Sequence, residues 1–202
     1  ASPTTFPILT GDTMTGTTLI QMDGGLDEGD IIVQDSIATD TEDTRYTIEK
    51  KLISRSAEQL KRALTHQETG NLQIIKQQNS KATYRRKLTK NDGFISSEFL
   101  SSARAGNLCE KSFLPRSLAW YYEKNQNEMY LNVSCARIID RMARAYGDWP
   151  GIWTYLAITG REMRRKLRYM IVKAEKLILT RVQLEGKSPV DYSTFLRAYN
   201  IY

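Results

Sequence analysis

The chain has 202 residues, enough for one large domain or two small ones. At 41% hydrophobic and 26% charged it has an ordinary globular composition, and no apolar run approaches the length of a membrane-spanning helix. A lone histidine, His66, argues against a His-rich metal site, and Cys109 and Cys135 match no metal spacing, so no metal is expected. Two isolated thiols fit a reducing compartment, and a cytoplasmic location is expected. The chain opens ASPTTFPIL, with neither a signal peptide nor an initiator Met, and it is expected to be a portion of something longer. Charge is uneven. Residues 1–80 hold 7 Lys/Arg and 12 Asp/Glu, a net of −5, whereas residues 81–202 hold 22 and 11, a net of +11. Such asymmetry suggests two units, the second facing a polyanion.

In chain order, 17–23 (TTLIQMD) and 30–38 (DIIVQDSIA) are β-branched runs with partial alternation, and the Gly- and Asp-rich stretch between them predicts a hairpin loop. Asp43 is a suitable N-cap for a helix whose Ile48, Leu52, Ile53, Leu60 and Leu64 are spaced for one apolar face, with a break possible at Ser54-Arg55-Ser56. Gly70 suits its C-terminal cap. The polar, basic residues 74–93 read as a linker. Helical spacing returns at 134–146 through Ile138, Ile139, Met142 and Ala145, and it stops at Gly147-Asp148-Trp149-Pro150-Gly151. Three β-like runs, 152–158, 167–174 and 176–184, predict a small antiparallel barrel.

The segment QMDGGLDEGD (21–30) crowds four carboxylates (Asp23, Asp27, Glu28, Asp30) among three glycines. An EF-hand reading fails, because counting from Asp23 puts Gln34 where the bidentate Glu belongs. A solvated turn whose Asp residues cap their own backbone is one reading. A carboxylate that orients a histidine for proton transfer is another, with no partner to hand because His66 lies far along the helix.

Four motifs in order resemble the methionyl-tRNA formyltransferase family. The first runs Ala1, Pro3, Gly11-Asp12, Thr15-Gly16, Thr18, Gln21-Met22-Asp23, Gly25-Leu26-Asp27 and Gly29-Asp30. The second is Ala82-Thr83-Tyr84, Lys87-Leu88-Thr89-Lys90 and Asp92-Gly93. The third is Arg144-Ala145-Tyr146, Trp149-Pro150-Gly151 and Trp153-Thr154. The fourth is Val182-Gln183-Leu184-Glu185-Gly186-Lys187-Ser188-Pro189-Val190, then Phe195-Leu196 and Tyr199. The acidic loop alone would imply only the wider group of enzymes that use 10-formyltetrahydrofolate.

The resemblance implies an α+β chain. Residues 1–73 would be the C-terminal part of a Rossmann-like formyltransferase domain, a strand hairpin plus a helix. Residues 74–93 would be the linker, and 94–202 an OB-like, tRNA-binding barrel preceded by a helix, with an insertion at about 101–133 that has no counterpart in the family. It implies formyl transfer from 10-formyltetrahydrofolate to the amino group of methionyl initiator tRNA, by a monomer with no membrane partner and no metal. Asp27 would be catalytic, with Asp23, Gly24, Gly25 and Leu26 lining the folate site. Arg85, Arg86, Lys87, Arg161, Arg164, Arg165 and Lys187 are expected at the RNA. The family's Asn-x-His segment is not in this sequence, so the 202 residues are expected to be inactive alone. An amino-sugar formyltransferase and a non-catalytic RNA-binding module remain alternatives.

Overall fold

Pro7 at the start and Gly11 at the end bound a single short helical run, α1 (Phe6–Thr10), because Pro is pre-set for a first helical turn and Gly11 takes the left-handed conformation, φ +75°, that closes it. Two antiparallel strands follow, β1 (Met14–Ile20) and β2 (Ile31–Ala38), and then a long helix, α2 (Arg45–Glu68). Further along lie α3 (Ser97–Ala105), α4 (Arg116–Lys124) and α5 (Cys135–Tyr146). Last come β3 (Ile152–Ile158), β4 (Arg161–Lys173), β5 (Lys176–Leu184), β6 (Val190–Asp191) and α6 (Tyr192–Tyr199). The computed structural model describes residues 3–125, 132–158, 161–173 and 176–199, with the backbone alone at 79, 156–158 and 161–173. Two units divide the chain, one of residues 12–83 and one of residues 1–11 with 84–202.

In the unit of residues 12–83, β1 and β2 pair from Met14↔Ala38 to Leu19↔Val33, with an irregularity between Leu19 and Ile20 that twists the end nearest the loop. Ile75 adds a short antiparallel bridge to Ile31 through two backbone hydrogen bonds, 2.7 and 2.9 Å. The helix α2 covers the hairpin with Ile48, Gln59 and Ala63. Buried Gln59 is satisfied by Thr17, accepting its hydroxyl at 2.6 Å and donating to its carbonyl at 2.9 Å. The cap of α2 is Thr44 rather than Asp43: Thr44 and Thr47 form a reciprocal capping box. Asp43 sits one residue earlier, where it accepts from the Asp40 N–H, the Thr47 hydroxyl and Lys51. The helix runs unbroken through Ser54-Arg55-Ser56, since its interior hydrogen bonds outweigh the weak propensity of two serines. The expected apolar face is only partly buried. Ile48 is enclosed, while Ile53, Leu60 and Leu64 are exposed, because a two-stranded hairpin is too narrow to cover a full helical stripe.

In the other unit the core gathers around α5, whose Cys135, Ala136, Ile138, Ile139, Met142, Ala145 and Tyr146 are all buried. Ser134 caps it by accepting the Arg137 N–H, which places the helix start within a residue of the sequence expectation. At its far end the Tyr146 hydroxyl meets that of Ser117 on α4 at 2.5 Å, so two fully buried polar groups satisfy each other. The short helix α1 also packs on α5, and Arg141 donates to the Thr10 carbonyl at 3.2 Å. A side chain on Gly11 would collide with that guanidinium.

The strands form an antiparallel meander in the order β3-β4-β5-β6. The strand β4 begins six residues before the apolar run that predicts it, because the basic stretch from Arg161 pairs with β3. The last strand, β6, holds only Arg181 and Val182 of β5 before the chain turns into α6. No strand returns to β3 among the described residues, so this sheet is an open meander and not a closed barrel. Beside it, Gly93 approaches Gly151 so closely that a Cβ would collide with its carbonyl. That contact lets Phe94 bridge Trp153 in parallel and Ile95 donate to the Trp153 carbonyl at 3.0 Å.

Candidate active-site loop, basic residues and aromatic cleft

The acidic loop spans 21–30 at the open end of the hairpin, and the Gln21 N–H closes its neck by donating to the Asp30 carbonyl at 2.8 Å. Within it, Asp23 caps the turn by accepting the Gly25 N–H at 2.9 Å. Gln77 reaches in from outside, and its amide donates to the carbonyls of Asp27, 3.0 Å, and Gly29, 2.6 Å. Gly29 is buried against Gln21, leaving no room for a Cβ. Asp27 holds φ +59°, a left-handed conformation that Asp and Asn tolerate better than most residues. The loop's shape is thus held through its backbone, while Asp23, Gly24, Gly25, Leu26, Asp27 and Glu28 are all exposed. Among the described residues, none of the loop's four carboxylates forms an ion pair. Met22 and Leu26 are each 88% exposed, which leaves them available to a ligand.

His66 stands in the last turn of α2 and lines a cavity of about 320 Å³ with Ile32, Val33, Arg62, Leu72 and others. No loop residue lines that cavity, so His66 is not the partner of Asp27 there. No group of three or more His, Cys, Asp or Glu is arranged to hold a metal among the described residues. Cys109 and Cys135 are buried free thiols.

The expected RNA contacts separate into distinct classes. Arg86 donates to the fully buried Asp92 through both terminal guanidinium nitrogens, with Nη1 at 2.9 Å, and it also lies over the Trp120 ring. Arg85 is half-buried, with its guanidinium 4.1 Å from the centre of the Tyr121 ring and 5.3 Å from that of Phe6. Both side chains are committed to the core of their unit. Lys87 and Lys187 are exposed. Lys187 follows the turn after β5, where its carbonyl accepts from the Gln183 amide at 2.7 Å. Arg161, Arg164 and Arg165 lie on β4, opposite Ile158, Tyr155 and Thr154 of β3. Their side chains lie outside the described residues.

A cleft of about 450 Å³ opens on the same unit as the sheet, and sequence reading did not find it. Its walls join the β3 residues Trp153 and Tyr155 to Phe94, Phe99, Phe113 and Arg116, the last two of which come from the stretch read as an insertion. Aromatic residues at 94, 99 and 113 carried the signal, but only the fold brings them beside the strand. Trp153 is buried and donates its indole N–H to the Lys90 carbonyl at 3.0 Å, whereas Tyr155 is 45% exposed. Of the two aromatic platforms the strand could offer, Trp153 is therefore core and Tyr155 is accessible.

Residues 1–65 match the family model described as formyl transferase. The chain is 32% identical over 200 residues to the methionyl-tRNA formyltransferase of Anaeromyxobacter dehalogenans strain 2CP-C, covering 98% of this chain and 60% of that protein. It is 30% identical over 203 residues to that of Ehrlichia canis strain Jake, covering all of this chain and 59% of that protein. The chain thus spans about 60% of the length of these relatives. Among solved structures, HypX from Aquifex aeolicus in complex with tetrahydrofolic acid shares the fold, with a TM-score of 0.55 at 13% identity, over 97% of this chain and 32% of that one. No helix among the described residues is long and apolar enough to cross a membrane.

Proposed function

We propose that this chain, which belongs to the formyltransferase family, serves in the transfer of a formyl group from 10-formyltetrahydrofolate to the amino group of methionyl initiator tRNA, in the cytoplasm. The observation that carries the reading is the span of the likeness. The formyl transferase match stops at residue 65 and does not distinguish acceptors, but identity to the methionyl-tRNA enzymes continues through the basic second unit. The OB-like, tRNA-binding character of residues 94–202 and the division at 1–73, 74–93 and 94–202 belong to the same proposal.

The residues present fit one wall of a folate site. Met22 and Leu26 offer exposed apolar surface beside the bare backbone of Gly24, where nothing lies within 4 Å of the Cβ position. A flat heterocycle is suited by such a surface. When bound, 10-formyltetrahydrofolate supplies the formyl carbon. Asp27 would accept a hydrogen bond from the histidine of the family's Asn-x-His motif, which would orient that ring and favour its protonated form as the attacking amine loses its proton. The rigid backbone around Asp27 suits this task, since an orienting carboxylate has to be held still. Only Asp27 of that set lies in these 202 residues, and no turnover by the chain alone is expected in a formyl-transfer assay with initiator methionyl-tRNA. A rate above background would overturn that expectation.

The test of the RNA half is tRNA affinity across a salt series. Weakening by about 10- to 100-fold between 50 and 200 mM salt is expected, what a handful of phosphate contacts gives. Lys87→Gln and Lys187→Gln should each flatten that dependence. Absence of binding at low salt would remove the second unit's claim to RNA.

A further inference from the structure

We propose that the aromatic cleft beside β3 takes an unpaired nucleotide of the bound RNA, its base against Tyr155 and its phosphate toward Arg116. The inference deepens the RNA-binding reading above and rests on it. Three rings form one side of the cleft. Phe94 lies 4.8 Å from Trp153 and 5.8 Å from Tyr155, centre to centre, and Tyr155 meets Trp153 edge-on at 5.5 Å. Those contacts and the indole hydrogen bond to Lys90 hold Tyr155 in place while leaving nearly half its surface open. Phe99 and Phe113, near parallel at 12°, also line the cleft.

Arg116, the first residue of α4, is the one charged residue lining the cleft among the described residues. It is exposed and has no ion-pair partner among the described residues. Asn91, Ser96 and Ser112 add neutral polar groups at the lining, and among the described residues no carboxylate does. An apolar ligand would leave Arg116 unused, and a simple anion would leave the rings unused. A base joined to a phosphate uses both. The volume, about 450 Å³, suits a ligand of that size. Stacking on a held aromatic ring is tolerant of base identity, whereas the phosphate contact gives none, so such a cleft would register an unpaired base without reading its sequence.

The decisive comparison uses fluorescein-labelled hexaadenylate and an abasic ribose-phosphate chain of equal length, titrated by anisotropy into the 202-residue chain. Hexaadenylate is expected to bind about tenfold more tightly than the abasic chain. Tyr155→Ala should abolish that preference, Tyr155→Phe should keep it, and Arg116→Ala should weaken both probes severalfold. Thermal unfolding of each variant reports that the fold is intact, which the exposure of both side chains favours. Equal affinity for the two probes, or a preference that survives Tyr155→Ala, would overturn the nucleotide site while leaving RNA binding standing. Failure of both probes and of tRNA at low salt would overturn the RNA reading and the site together. Adenosine 5′-monophosphate binding as tightly as hexaadenylate would overturn the RNA source in favour of a free nucleotide.

Discussion

Asp92→Ala is expected to lower the stability of its unit by about 3–5 kcal/mol, measured by urea unfolding, the cost of stranding a buried charge. Asp92 is 0% exposed and accepts from Arg86, from the Thr89 N–H at 2.6 Å and from the Thr89 hydroxyl at 3.0 Å. Removing the carboxylate takes the counter-charge from a half-buried guanidinium, which keeps only the Lys87 carbonyl and the Trp120 ring, and leaves the two Thr89 donors without their acceptor. Burial by itself pushes the Asp92 carboxyl up, but the hydrogen bonds from Arg86 and Thr89 prevail and hold it below its ordinary value. The sign follows: protonation favours the unfolded chain, so the contribution is complete above the unfolded value, about pH 4, and is lost as pH falls through the lower folded one. Asp92→Asn should therefore flatten the acid limb of the stability profile. Replacing Arg86 and Asp92 together by apolar residues of similar size should cost far less than Asp92→Ala alone. A loss below about 1 kcal/mol for Asp92→Ala would show that the pair is not the support described.

The same geometry limits what an Arg86 substitution can report about RNA. Arg86→Ala would weaken tRNA binding by loosening the unit whether or not the guanidinium meets phosphate. Lys87 is the cleaner probe, since its side chain is exposed one residue away.

The elements that sequence made legible are those with a local cause. The hairpin was readable from two β-branched runs around a glycine-rich loop, and α5 from its 3.6-residue period and the Gly-Pro stop beyond it. What escaped was non-local. The charged stretch Arg161–Arg168 has no apolar alternation, yet it is strand because β3 and β5 pair with it on both sides. Residues 94–125 fold into α3 and α4 around aromatic side chains that meet Trp153 only in three dimensions. Basic residues were readable as charge but not as structure: Arg85 and Arg86 look like phosphate ligands in sequence, and only the fold shows that they also pack on Tyr121 and pair with Asp92. For the acidic loop, sequence supplied the residue types and the resemblance. Only the structure adds Gln77, whose amide ties down the Asp27 and Gly29 carbonyls from 50 and 48 residues away.

Asp27→Asn is expected to lower the formyl-transfer rate by about 10²- to 10⁴-fold, the range for loss of a group that assists proton transfer. The assay belongs in an enzyme that supplies the Asn-x-His segment along with these residues, because Asp27 has no histidine partner in the loop's own unit. Asn is the informative replacement. It tolerates φ +59° as Asp does and keeps the carbonyl that Gln77 holds, so loop shape is preserved while the negative charge is removed. Asp27→Ala would combine loss of charge with backbone strain and could not separate them. An exposed side chain with no ion pair among the described residues contributes little to stability, so the melting temperature should stay within about a degree. Gln77→Ala offers the converse: charge kept and positioning loosened, with a smaller fall in kcat that Gln77→Glu should not rescue, because a carboxylate cannot donate to the Asp27 carbonyl. An unchanged rate in Asp27→Asn would return the acidic loop to a solvated turn, with its carboxylates serving only the backbone around them.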